Sequence, residues 1–204
     1  GRNGAGKTTT LRTIMGLWHA SKGSIHFGGK DITAMNTPAI AGMNIAYVPE
    51  NMGIFADLTV KENMLLAARS ARNAAQMDEA RLQWIFKLFP AVEKFWNHPA
   101  GKLSGGQKQM VAVSRAIVEP RDLLIVDEPS KGLAPAIINN MIDAFDQLKK
   151  SGVTILLVEQ NINFAKRLGD TVAVMDNGQV VHAGSMAALA QDEELQRSLL
   201  GLAL

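Results

Sequence analysis

The opening octapeptide, Gly1-Arg2-Asn3-Gly4-Ala5-Gly6-Lys7-Thr8, constrains the chain more than any other stretch. It fits the phosphate-loop pattern G-x-x-x-x-G-K-[ST], whose glycines let successive backbone N–H groups turn toward one anion with no side chain in the way. Lys7 adds a full positive charge for the β- and γ-phosphates, and Thr8 a hydroxyl for Mg²⁺. Leu11, Ile14 and Met15 follow at helical spacing, so the loop runs into a helix whose N-terminus carries roughly half a positive charge. Such a loop belongs on an α/β scaffold, with a strand before it and the helix after it. Taken alone, the octapeptide also fits a glycine-rich turn that merely caps a helix.

The remaining pattern agrees with an α/β scaffold. Short β-branched or aromatic runs predict strands at Ser24 to Phe27, Ile45 to Val48, Leu123 to Asp127, Val153 to Val158, Thr171 to Met175 and Gln179 to His182. Asp176-Asn177-Gly178 between the last two is a hairpin turn. Val60 to Trp96 is rich in alanine, leucine and charge, with no strand candidate, and predicts a helical subdomain. Further helices are expected at Gln107 to Val118, Ala136 to Lys150, Ile162 to Arg167 and Met186 to Leu200. No apolar run approaches the ~18 residues of a membrane span. With 21 Lys and Arg against 19 Asp and Glu, and no block of like charge, nucleic acid is not an expected partner. The chain has no cysteine, which removes disulfides and thiolate chemistry together and suits a cytoplasmic protein.

Two further motifs carry chemistry. Leu123 to Val126 is an apolar strand that ends in Asp127 and Glu128, two carboxylates delivered to the sheet edge where α/β proteins bind ligands. Asp127 suits Mg²⁺ held through water, and Glu128 suits orienting or deprotonating an attacking water. A strand that simply meets a solvated turn is the plainer reading of that segment alone. Ser104, Gly105, Gly106 and Gln107 precede a helix and form a second anion-binding tip without a lysine; on local grounds a serine N-cap explains them equally well.

With these motifs in this order, the sequence resembles the ATP-binding cassette family, the nucleotide-binding subunits of ABC transporters. The phosphate loop, the Leu103-Ser104-Gly105-Gly106-Gln107 signature, the acidic strand and the Ser130-Lys131-Gly132-Leu133 loop occur in the family's order, and the resemblance covers essentially the whole chain. Closer similarity, in Tyr47-Val48-Pro49-Glu50, Leu58-Thr59-Val60-Lys61-Glu62-Asn63, Gly132-Leu133-Ala134-Pro135 and Val158-Glu159-Gln160-Asn161, is to the ATP-binding subunits of branched-chain amino acid importers. The resemblance implies a phosphate-loop NTPase core with a mixed sheet over residues 1–60 and 107–204, and a helical insert at about 61–106. It implies an ATP hydrolase, peripheral on the inner face of the cell membrane, that couples hydrolysis to transport. Its partners would be a second cassette, membrane permease subunits and, indirectly, a solute-binding protein. A soluble ATP-switched scaffold of the same superfamily is the alternative.

The resemblance assigns ATP to Gly1, Asn3, Gly4, Ala5, Gly6, Lys7, Thr8 and Thr9 of one subunit and to Ser104, Gly105, Gly106 and Gln107 of the other. Mg²⁺ falls to Thr8, Glu50 and Asp127, and catalysis to Glu128, Gln160 and Glu50. Glu50 stands where most cassettes have glutamine, and Gln160 where they have histidine; both swaps mark the branched-chain group. Ionised Glu50 only accepts hydrogen bonds, so Mg²⁺ or a metal-bound water is its expected partner. Gln160 can donate to the γ-phosphate but cannot become cationic.

The family carries a few dozen residues before the phosphate loop, including its central strand and an adenine-stacking aromatic. Their absence from this sequence leads us to expect missing N-terminal strands and weak nucleotide binding. Ser198-Leu199-Leu200-Gly201 resembles the group's usual ending, so the C-terminus is expected to be nearly complete. The four histidines lack metal-ligand spacing, the ten methionines suit core filling or helix surface, and Phe55 is expected to be an ordinary core residue, with projection near the helical subdomain and the membrane partner as the alternative.

Overall fold

Two apolar runs pair where both are deeply buried. In the computed structural model β3 (Ile45–Val48) lies parallel to β4 (Leu123–Asp127), with Ile45 opposite Leu123 and Val48 opposite Val126. Leu124, Ile125 and Val126 are fully buried, as a parallel strand covered on both faces must be. The structure describes residues 1–69, 71–73 and 76–200. Ser70, Ala74 and Ala75 of the expected helical stretch, and Gly201 of the C-terminal motif, lie outside that set. Two compact units emerge: one from Gly1–Met43 together with the chain from Leu157 onward, the other from Asn44–Leu156.

The second unit surrounds the parallel pair. β5 (Thr154–Val158) begins there and flanks β4, while α7 (Pro135–Lys150) buries Met141, Ile142, Phe145 and Leu148. α6 (Gly105–Ala116) buries Met110 to Ser114. Its last carbonyls are capped by cations: Arg81 Nε donates to Ile117 O at 2.8 Å and Arg121 Nε to Ala116 O at 2.8 Å. Both guanidiniums are pushed below their usual pKa, chiefly by burial. The expected helical stretch resolves into α3 (Val60–Ala67), α4 (Glu79–Leu88) and α5 (Pro90–Lys94), with Met64, Ile85, Phe89 and Val92 at its centre.

In the first unit α1 (Lys7–Ile14) buries Leu11, and α8 (Ile162–Leu168) buries Phe164 and Leu168. β6 (Thr171–Asp176) and β7 (Gln179–Ser185) form the expected antiparallel hairpin. Val174 packs there with Met186 and Leu189 of α9 (Met186–Gln191). The single helix expected over 186–200 is two. Asp192 leaves helical geometry and caps α10 (Glu193–Leu200), its Oδ1 accepting from Leu195 N–H at 2.8 Å. The strand expected over 24–27 shortens to β1 (His26–Phe27), which turns through Gly28 and Gly29 into β2 (Lys30–Asp31). α2 (Thr37–Ala41), capped by Asn36, is an element that the sequence pattern did not suggest. The α/β class holds; among the described strands, parallel and antiparallel pairing occur in separate sheets. No helix among the described residues is long and apolar enough to cross a membrane.

Candidate functional site

The phosphate loop is built inside the first unit. Gly4 and Gly6 both have positive φ, 77° and 92°, a region that a side chain disfavours. Gly6 is also pressed against a neighbour, since a Cβ there would meet Gly178 Cα at 3.2 Å. That contact comes from the β6–β7 turn, whose Gly178 N–H donates to Ala5 O at 3.0 Å. The hairpin predicted from Asp176-Asn177-Gly178 therefore braces the loop, a relation that no local motif encodes.

α1 starts at Lys7, with Gly6 as a left-handed N-cap that offers no side chain to the first N–H groups. A helix N-terminus of this kind suits an anion. Lys7 is 8% exposed, and its Nζ donates to Gly1 O at 2.9 Å and Arg2 O at 2.8 Å. The ammonium thus spans the loop it belongs to, held by carbonyl oxygens at the place where a phosphate oxygen would supply stronger, charged acceptors. Gln160 joins the same site: its Nε2 donates to Asn3 Oδ1 at 2.6 Å. Two residues 157 positions apart, both expected at the site from sequence, are brought into contact.

The acidic end of β4 lies in the second unit. Asp127 is fully buried and Glu128 is 8% exposed. Glu128 has φ 49°, an unusual conformation for a residue with a long side chain and one often found where function requires it. Lys131 Nζ lies 4.0 Å from Glu128 Oε2 and donates a short hydrogen bond to Glu50 Oε1. Its own pKa is raised, first by that hydrogen bond, then by the charge of Glu50 and more distantly by Glu128 and Asp127. Glu50 thus has a partner that the sequence reading did not supply. Glu50 and Asp127 supply the hard carboxylate oxygens that Mg²⁺ prefers, so these residues fit the ion chemically.

Ser104, Gly105, Gly106 and Gln107 form the N-terminus of α6, also in the second unit. Ser104 and Gln107 close a capping box: Gln107 N–H donates to Ser104 Oγ at 3.3 Å, and Ser104 N–H to Gln107 Oε1 at 2.9 Å. The two glycines differ. A Cβ on Gly106 would lie 2.8 Å from Ile137 Cγ2, so packing requires this glycine, whereas Gly105 faces open space.

The loop that carries Glu50 is clamped from two sides within this unit. Asn63, fully buried in α3, accepts from Phe55 N–H at 2.9 Å and donates to Phe55 O at 2.9 Å. Arg115 Nη1 donates to Gly53 O at 2.6 Å, and its guanidinium lies 5.2 Å from the Phe55 ring. Phe55 is consequently 50% exposed, which corrects the expectation that it is a core residue. Its backbone is held by polar clamps, so its ring need not be buried to order the loop. Sequence reasoning passed over Asn63, Arg115 and Lys131 as functional supports. The Thr59-to-Glu62 capping-box pattern, which places Asn63 in the first turns of a helix, was the one signal available in sequence. No group of three or more histidines and acids with metal-site geometry occurs among the described residues.

A model of the ABC transporter family matches residues 1–131. The high-affinity branched-chain amino acid transport ATP-binding protein BraG of Pseudomonas aeruginosa is 38% identical over 204 residues, covering 98% of this chain and 85% of its own length. The probable branched-chain amino acid transport ATP-binding protein LivF of Archaeoglobus fulgidus is 33% identical, covering 99% and 85%. Similarity extends to a Nod factor export ATP-binding protein of Burkholderia lata, 33% identical over 95% of this chain and 62% of that protein. Among solved structures, the ATP-binding subunit of an ABC transporter superposes with a TM-score of 0.78 at 28% identity, over 98% of this chain and 82% of that one.

Proposed function

Because the chain belongs to the ABC transporter family and is one of its ATP-binding, ATP-hydrolysing cassettes, we propose that it energises an importer of branched-chain amino acids or closely related small solutes. The observation that carries its chemistry is the joining of Gln160 to the phosphate loop through Asn3 at 2.6 Å. An amide at that position can pass its N–H from Asn3 to a γ-phosphate oxygen, so the loop and its sensor respond to the same group. The import reading draws on the two branched-chain relatives, which align over nearly the whole chain.

In this reading residues 1–60 and 107–204 form the nucleotide core and about 61–106 the helical insert. Gly1 to Thr9 enclose the phosphates with backbone N–H groups, and Lys7 exchanges the carbonyls of Gly1 and Arg2 for phosphate oxygens. Glu128, a carboxylate withdrawn from solvent and fixed by the chain turn after β4, orients or deprotonates the attacking water. Thr8, Glu50 and Asp127 would hold Mg²⁺, which when bound supplies positive charge to the phosphate oxygens during cleavage. Ser104 to Gln107 complete the nucleotide site of a second cassette, identical or related. The exposed Phe55 and its clamped loop face the permease, and the assembly works at the inner face of the membrane with a solute-binding protein upstream.

Affinity purification of the tagged chain from its own cells tests the assignment. Membrane permease subunits and a second cassette are expected to co-purify, and the assembly in vesicles should take up leucine or valine with ATP. Recovery with ribosomes or DNA instead, or export of the solute, would overturn the reading.

A further inference from the structure

The cation between Glu50 and Glu128 is a feature of this chain that the ATPase chemistry leaves unexplained. Glu128 cannot retreat from it: its side chain is 8% exposed, its backbone holds φ 49°, and Pro129 follows. Lys131 is aimed by the turn after β4, where its own N–H donates to Glu128 O at 3.2 Å and Leu133 N–H to Ser130 O at 3.2 Å. Glu50, with 42% of its side chain exposed, is the member free to move. Two carboxylates drawn to one point repel unless a positive charge lies between them. A lysine supplies that charge on a flexible stem, as a point cation without the fixed fork of arginine.

We propose that Lys131 is a positioning residue that acts as a resident cation: it holds Glu50 beside Glu128 before a divalent ion arrives and competes with that ion for Glu50. This rests on the reading of Glu50 as a metal contact. Two cations drawn to one carboxylate repel each other, so binding of the ion at Glu50 works against its contact with Lys131. The lysine thereby weakens metal binding while keeping the acidic pair assembled in the metal-free state. Exposed ion pairs are modest, so the competition is worth up to about a five-fold factor in affinity.

Mn²⁺ serves as the probe, titrated by electron paramagnetic resonance into the full-length chain saturated with a nonhydrolysable ATP analogue. Lys131→Met is expected to tighten Mn²⁺ about three- to five-fold, a direction that loss of a merely structural contact does not produce. Lys131→Arg, which keeps the charge, should bind Mn²⁺ no more tightly than the native chain. Glu50→Gln should weaken Mn²⁺, and adding Lys131→Met to it should produce no tightening, because the contested carboxylate is gone. Unchanged or weaker Mn²⁺ binding by Lys131→Met, with Glu50→Gln still weakening it, overturns the competition and leaves the Glu50 assignment standing. If Glu50→Gln has no effect, the Glu50 assignment fails and the competition fails with it.

Discussion

Gln160 and the glycines of the α6 tip show how much a single position decides. Gln160 donates to Asn3 at 2.6 Å and has no ionisable group, so hydrolysis should show no imidazole-type step from this position. Gln160→His should introduce one near pH 6.5. Identical pH–rate profiles for the two proteins, both stepping near neutrality, would refute this assignment. At the signature, Gly106 is held by packing and Gly105 is not. Gly106→Ala should therefore destabilise the fold by about 1–3 kcal/mol through overpacking against Ile137. Gly105→Ala should leave thermal stability unchanged or slightly improved while lowering ATPase activity. Urea unfolding alongside a phosphate-release assay separates the two effects.

Elements are set by capping and by apolar pattern, and both were largely legible. The expected helix over 107–118 is α6 at Gly105–Ala116, and the expected strands at Ile45 to Val48 and Leu123 to Asp127 are β3 and β4 as predicted. The break at Asp192 was missed because apolar periodicity ran through it, although aspartate favours a helix start over a helix interior. α3 opens on a capping box in which Glu62 Oε2 accepts from Thr59 N–H at 2.8 Å and Thr59 Oγ1 at 2.7 Å. The two bonds hold the Glu62 carboxyl below the ordinary glutamate range, the backbone one foremost. A depressed carboxylate contributes its stability above the unfolded-state pKa and loses it as pH falls through the folded one. Thermal melts should thus show a steeper acid limb for the native chain than for Glu62→Gln, with the difference confined to pH values at and below the glutamate range. Parallel acid limbs would show that ionisation of Glu62 contributes nothing to the fold.

At the scale of the whole molecule, the family is carried by motifs distributed from Gly1 to Gln160, and the comparisons extend that likeness over nearly the entire chain. If Glu128 activates water, Glu128→Gln should bind ATP, hydrolyse it at least about 100-fold more slowly, and accumulate as a cassette pair. Light scattering with and without ATP tests this: a persistent monomer with ATP bound, or hydrolysis near the native rate, would contradict the assigned role.

The sequence by itself determined the phosphate loop, the acidic strand, the capped signature helix and hence the family. Each is a local pattern whose chemistry depends on residues a few positions apart. Tertiary structure alone decided that the 176–178 turn braces the loop, that Gln160 meets Asn3, that Lys131 stands between Glu50 and Glu128, and that Phe55 is displayed rather than buried. Those outcomes depend on distances between residues remote in the chain, and a one-dimensional pattern specifies which groups are available without specifying which of them meet.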